Sequence, residues 1–244
     1  MGGKTLKDTW IRYYRKPETT GAVAVAGSPG LRSIGKLVVD SLITKMQPEL
    51  IAELYSTHFP LIYQTTPSYA SHPQLPGVSG VTIASGRVGF PKIQFYFHPS
   101  PPLILTQGCH ANFAGQYEVA EKVLDFYDEV GVSRLIVVAG YGLRGKDVCC
   151  AATSRRIMDG LKEQYGVEAG YEGPFYGFSG LVFGLAKRRG LDAFCLFGRT
   201  EPRPDDPESP DDAASEHVLR TLDQILGFRE CEGRVSSSEA SSTT

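Results

Sequence analysis

Residues 21–27, "GAVAVAG", form an unbroken run of small apolar side chains. A run of that length without polar alternation predicts a strand buried on both faces, as in a parallel sheet. After the turn Ser28-Pro29-Gly30, the positions Ile34, Leu37, Val38, Leu42 and Ile43 recur at helical spacing, and Pro48 closes the helix. From 50 to 105 the pattern becomes short β-like runs separated by Pro and Gly: "LIAELYS", "LIYQTT", "GVTIASG", "KIQFYFH" and "PLILTQ". Within 93–98, Ile93, Phe95 and Phe97 fall on one face and Gln94, Tyr96 and His98 on the other, which predicts a half-buried strand.

Helices and strands alternate again beyond residue 110. Phe113, Tyr117, Ala120, Leu124, Tyr127 and Val130 mark one helix face, ended by Gly131. "RLIVVAG" (134–140) and "VCCAAT" (148–153) read as strands, followed by a helix through Ile157, Met158, Leu161 and Tyr165. A turn at 173–180 leads to a helix through Leu181, Leu185 and Ala186 and to the strand "DAFCLF". The last helix opens at Ser209-Pro210-Asp211-Asp212, with Ser209 as N-cap and Pro210 in the first position, and ends at Gly227. This order predicts an α/β fold: a three-layer α/β/α sandwich on a mixed, mostly parallel sheet. The β-rich middle is an insertion or an antiparallel extension of that sheet. The chain divides into an N-terminal arm (1–20) that docks by Trp10, Tyr13 and Tyr14, one α/β domain (21–231), and a Ser/Thr-rich tail (232–244) expected to be disordered.

Composition narrows the class. Of 244 residues, 41% are hydrophobic, enough for a substantial core, and the net charge of −2 offers no field for nucleic acid or an anionic membrane. The longest apolar runs fall well short of the roughly 20 residues that span a bilayer. Five cysteines (Cys109, Cys149, Cys150, Cys195 and Cys231) show no metal-ligand spacing. We therefore expect a cytoplasmic chain with reduced thiols.

Candidate chemistry is incomplete at each place. Gly30, Gly35 and Lys36 have the spacing of a phosphate-binding loop, but Leu37 stands where a hydroxyl would hold magnesium, and no later apolar strand ends in Asp. Lys36 then reads as a solvated side chain beside a glycine turn. "GFSGL" (177–181) approaches a nucleophile elbow but has Leu181 in place of the last glycine, so Ser179 reads as a helix cap. Cys109 and His110 are sequence neighbours that an extended segment would point apart. Cys149 and Cys150 read as buried structural thiols. In "PDDPESPDD" Asp211 and Asp212 are accounted for by the helix dipole and the prolines space the other acids apart, and the dipole also accounts for Lys187, Arg188 and Arg189 at a helix end. No metal or cofactor is called for, and no set of residues supplies nucleophile, base and oxyanion donors together. An anion at the glycine turns (Gly27, Pro29, Gly30 and Gly35; Gly177, Ser179 and Gly180) is the enzymatic alternative, of phosphorylase-like or ligase type. Phe90, Phe95, Tyr96, Phe97 and Tyr63 exceed what one half-buried sheet face hides, which predicts a homo-oligomer.

The order of landmarks resembles the proteasome assembly chaperone 2 family, especially its archaeal members. The matching elements are "GSPGLRSIG" after a strand, "LYSTHFP", "PKIQFYFHPSPPLIL", "EVGVSRLIVVAGYG", "GPFYGFSGLVFGLAKRRGLDAFCL" and the acidic-Pro stretch before a helix ending "ILGF". They cover about residues 20 to 228 in order. The resemblance implies a phosphorylase/hydrolase-like α/β/α fold, ATP-independent work without a cofactor, and assistance to assembly of the proteasome α-ring through α subunits. It also implies that Gly27, Pro29, Gly30 and Gly35 match the family's glycine turn, where the lysine is incidental. Relatives carry a C-terminal hydrophobic–Tyr–any-residue tripeptide. This sequence ends Ser-Ser-Thr-Thr, with no tyrosine after Tyr176, so contact through the folded domain is expected.

Overall fold

The computed structural model describes residues 8–59, 81–108, 115–142, 144–201, 203, 205 and 209–228. The expectations for "LIYQTT", Tyr63, Phe113, Cys109-His110, Cys231 and the 232–244 tail lie outside them. In chain order the elements are β1 (Thr9–Tyr13), β2 (Ala22–Gly27), α1 (Ile34–Met46), β3 (Glu49–Ser56), β4 (Thr82–Ala84), β5 (Arg87–Gly89), β6 (Ile93–Pro99) and β7 (Pro102–Gln107). Then follow α2 (Gln116–Glu129), β8 (Val132–Tyr141), β9 (Val148–Ala152), α3 (Arg155–Tyr165), α4 (Gly177–Arg188), β10 (Asp192–Arg199) and α5 (Asp212–Leu226).

Eight of the strands form one sheet in the order β1-β3-β6-β7-β2-β8-β10-β9, and β4 and β5 pair in a separate hairpin. The sheet is mixed. Parallel pairing is confined to the central strands β7, β2, β8 and β10, and the flanking pairs are antiparallel. Strands β3, β6 and β7 of the β-rich middle are thus an antiparallel extension, which is the expected alternative to a separate insertion. The arm expected before residue 21 contributes β1 to this sheet. Its aromatics dock as read: Trp10 stacks on Tyr55, ring centroids 5.7 Å apart, and the Tyr13 hydroxyl donates to Glu129 at 2.7 Å.

Period-two alternation sorts the strand side chains into two cores. Leu135 and Val137 of β8 join α2 and α4 on one face. Ile136 and Val138 join α1, α3 and α5 on the other. The result is three layers, as the pattern predicts.

Three local expectations change. The N-cap of α5 is Asp211, whose carboxylate accepts from the Ala214 N–H at 3.0 Å, and not Ser209. Pro210 stays outside the helix because its carbonyl accepts from Arg32 at 3.1 Å. Tyr117 is not part of the apolar face of α2. It lies at the solvent side of the first turn and accepts from Arg188 at 2.6 Å, while Val119, Val123 and Phe126 fill the face. Phe95 and Phe97 are hidden by α2, with Phe95 stacked on Phe126 at 3.9 Å, so they add nothing to an exposed aromatic surface. Phe90 remains 61% exposed.

At the β1 end of the sheet, Glu53 is only 3% exposed. Burial alone would raise its pKa, but hydrogen bonds from Lys92, Tyr14 and Tyr55 outweigh it and hold the carboxyl at about 2. A depressed carboxyl pKa stabilises the fold fully above the ordinary carboxylate range and loses that contribution as pH falls toward 2. Glu53→Gln is therefore expected to cost roughly 2–3 kcal/mol at pH 7. The difference from wild type should shrink at pH 3, as read by denaturant titration at both pH values. An equal deficit at both would show that charge is not the cause.

Candidate functional site

The chain leaves β2 at Gly27, and the next turn brings Gly35 back against it. A Cβ on Gly27 would lie 2.0 Å from the Gly35 carbonyl oxygen, and one on Gly35 would lie 2.4 Å from that of Val138. These glycines let α1 start in backbone contact with the sheet. Gly180 allows a different close contact, between α4 and the turn before it, since its Cβ would meet the Phe175 carbonyl oxygen at 2.1 Å. Gly30 and Gly177 differ. Gly30 is extended, with the nearest atom 4.0 Å from a Cβ, and Gly177 has φ +83° with open space around it.

The two predicted glycine turns, far apart in sequence, meet across the carboxyl ends of the parallel strands, where open α/β sheets present their crevices. Ser28 Oγ and Ser179 Oγ hydrogen-bond at 2.8 Å over 151 positions. Pro29, Gly30, Gly35, Gly177 and Ser179 line a cleft of about 310 Å³. Gly27 lies beneath it, beside a small apolar void of about 20 Å³ that also touches Val137 and Phe178. Gly180 packs behind, against Phe175.

An aromatic wall completes the cleft, in which Tyr171 and Phe197 stack at 4.8 Å and Phe175 meets Phe197 edge-on at 4.9 Å. Tyr176, at the rim, is 81% exposed. Tyr141 donates to the Lys146 carbonyl at 2.6 Å, and burial, with Cys149 beside it, pushes its pKa up to about 12, so it stays a neutral phenol. Among the described residues the cleft is lined by no Asp, Glu, His, Lys or Arg. Such a surface offers shape, aromatic faces and backbone groups, without a side chain suited to acid–base work near neutral pH.

Arg32 escaped the sequence reading, although it sits inside the glycine-rich turn. It and Ser33 adopt left-handed backbone conformations, with φ +51° and +53°. Its guanidinium, in a residue 5% exposed, donates to the carbonyls of Glu201 (2.9 Å), Pro210 (3.1 Å) and Ser209, and lies 3.9 Å from the Asp211 carboxylate. In return the Asp211 N–H donates to the Arg32 carbonyl at 3.1 Å. One side chain thus ties the glycine turn to the segment before α5. A lone arginine at the start of an apolar helix was the available signal, but its acceptors are backbone carbonyls, which carry no sequence pattern. The aromatic wall left a clearer trace, the crowding of "YEGPFYGF" at 171–178.

The remaining candidates find structural partners. Lys36 is half-buried and ion-pairs with Asp40 one turn along α1, so it is not merely solvated. Ser179 sits in the first turn of α4, whose N-cap is Tyr176, and pairs with Ser28 where a hydrolase would need a base. His217 lies on α5, away from Ser179 in the fold, with Nδ1 3.8 Å from Asp147. Arg188 and Arg189 reach across to α2: Arg188 pairs with Glu121 at 2.9 Å, and Arg189 with Glu121, Asp125 (2.9 Å) and Asp128 (3.1 Å). They clamp two helices as well as facing a helix dipole. Cys149, Cys150 and Cys195 are buried free thiols.

Comparison with known proteins agrees with this geometry. The archaeal proteasome activator PbaB of Pyrococcus furiosus superposes with a TM-score of 0.74 at 26% identity, over 94% of this chain and 95% of that one. PbaA of the same organism, an archaeal homolog of proteasome-assembly chaperone, gives a TM-score of 0.68 at 22% identity, over 92% of each chain. An uncharacterized protein of Methanocaldococcus jannaschii is 25% identical over 226 residues, 89% of this chain and 80% of that protein. The model of the PAC2 family matches residues 24–235, through both glycine turns, and the chain belongs to that family.

Proposed function

We propose that this protein is an ATP-independent chaperone or scaffold that assists assembly of the proteasome α-ring by binding α subunits. In this reading it works in the cytoplasm as a homo-oligomer and is not an enzyme. The observation that carries the reading is the likeness to an archaeal proteasome activator, which runs at 26% identity along nearly all of both chains. The cleft supports it, because a surface of aromatic rings and backbone groups suits docking of a protein segment. Among the described residues, no helix is long and apolar enough to cross a membrane.

The contact is assigned to the folded domain, since the only aliphatic or aromatic anchor larger than alanine in 232–244 is Val235. A chain truncated after residue 231 is expected to capture free α subunits in a pulldown as well as the full chain does, with neither form opening assembled particles. Failure of both forms to capture free α subunits would remove the assembly role.

The second reading, a phosphorylase-like or ligase-type enzyme holding an anionic small molecule at the glycine turns, is favoured by one feature. Helix α4 begins at the cleft without a side-chain cap, so the backbone N–H groups of its first turn are donors there. A thermal-shift series with phosphate and nucleotides separates the readings, and no stabilisation is expected under the chaperone reading.

A further inference from the structure

Strands β1 and β9 are the two edges of the sheet. They are treated differently. The outer side of β9 is partly covered, where the Cys150 N–H donates to the Glu168 carbonyl at 2.9 Å and Cys150 bridges Ala169. The outer side of β1 has no such cover among the described residues.

The ladder shows which backbone groups of β1 point away from β3. The Tyr14 N–H donates to Ile51, and the Thr57 N–H donates to Asp8, so the hydrogen-bonded pairs with β3 are the even-numbered residues of β1. Thr9, Ile11 and Tyr13 therefore turn their N–H and C=O groups away from the sheet. The strand Thr9–Tyr13 contains no proline or lysine, and its five pairs with β3 run without a bulge, so among the described residues Arg12 and the strand's shortness are what guard this edge.

We propose that β1 pairs antiparallel with β1 of a second copy of this chain, about a twofold axis through Ile11, making one continuous sheet across the dimer. The register is self-complementary. Thr9 faces Tyr13 of the other copy, Ile11 faces Ile11, and the outward backbone groups of these residues satisfy one another. On the exposed face Trp10 of each copy faces Arg12 of the other. Trp10 is already stacked on Tyr55, and Arg12 lies in register with Glu53. Each row across the joint then reads Tyr55, Trp10, Arg12 and Glu53, a guanidinium set between an aromatic pair and a carboxylate. The two arginines fall in different rows, so like charges are not directly opposed.

A five-residue edge alone is a small interface against the ~1,200 Å² or more of a stable one. Further apolar surface lies on the same flank. A groove of about 620 Å³ runs beside β1 between Trp10, Arg12, Tyr55, Phe59 and Phe90. Phe90 follows the β4–β5 hairpin, where Ile83 and Val88 face each other, 77% and 65% exposed. The proposal rests on the self-association proposed above and not on any contact with α subunits.

The test uses the full chain and light scattering at micromolar concentration. Wild type is expected to run at a multiple of its 26.6 kDa monomer mass. Ile11→Pro removes an outward N–H without touching the β3 ladder, and is expected to fall to a smaller assembly with an unchanged circular dichroism spectrum. Under mild oxidation Ile11→Cys is expected to give a covalent dimer that wild type does not give, since facing hydrogen-bonded residues lie within disulfide reach. This second variant keeps the test informative if the proline variant fails to fold. Absence of the Ile11→Cys cross-link, or an undiminished oligomer in natively folded Ile11→Pro, overturns the β1 joint while leaving self-association standing. A monomeric wild type overturns both.

Discussion

Gly35→Ala is expected to abolish the cooperative fold or to cost roughly 4 kcal/mol or more, a large share of the roughly 5–15 kcal/mol that holds a domain together. The added Cβ would sit 2.4 Å from the Val138 carbonyl oxygen and 3.1 Å from that of Ser28. Both neighbours are backbone, one of them in a central strand, so relief would require α1 to lift from the sheet. That would break the contacts of Ile34, Val38 and Leu42 with the core shared by α1, α3 and α5. Gly30→Ala is the control. Its backbone is extended and its surroundings are open, so the cost is expected to stay below about 1 kcal/mol. Urea titration of the two variants separates a glycine required by packing from one that is free to serve a surface. A Gly35→Ala midpoint equal to that of wild type would refute this account of the turn. If Gly30 lines the α-subunit contact, Gly30→Trp weakens capture without a comparable loss of stability.

Arg32→Ala is expected to cost about 3 kcal/mol and to loosen the segment before α5. The guanidinium serves three carbonyls from inside the protein, and removing it leaves those acceptors without their donor and takes a positive charge from beside the Asp211 carboxylate. Burial alone would raise the pKa of Asp211, but the Thr200 hydroxyl, the Ala214 N–H and Arg32 together keep it below the ordinary value, so the carboxylate would be left charged with one support fewer. Arg32→Lys is expected to recover only part of the loss, because a single ammonium cannot span carbonyls on residues 201, 209 and 210. Hydrogen exchange is the direct readout. The Asp211 and Ala214 amides should lose protection in Arg32→Ala while those of β8 retain it. Unchanged protection together with unchanged stability would show that Arg32 does not hold this segment.

Much of the architecture was legible because its causes are local. A buried central strand such as β2 or β8 must be apolar along its length, and a half-buried strand such as β6 must alternate. Helices α1, α3 and α4 carry their burial at helical spacing, and the glycine turns stand out because a backbone contact at Gly27 and Gly35 excludes every side chain. The ordered landmarks were enough for the family. Strand β1 was harder to read: five residues flanked by charges look like an arm until β3 is beside them.

What only the tertiary structure decided are pairings between distant residues whose partners leave no trace in spacing. Ser28 meets Ser179 across 151 positions, which turns two separate glycine turns into one cleft. Arg32 reaches acceptors up to 178 positions away, and those acceptors are carbonyls that any residue would provide. The cap of α5 moved from Ser209 to Asp211 because Arg32 holds the Ser209 and Pro210 carbonyls outside the helix. Local pattern specifies which face of an element is apolar. The contacts that close a site depend on how whole elements pack, and the free energy that selects them is shared over the entire core.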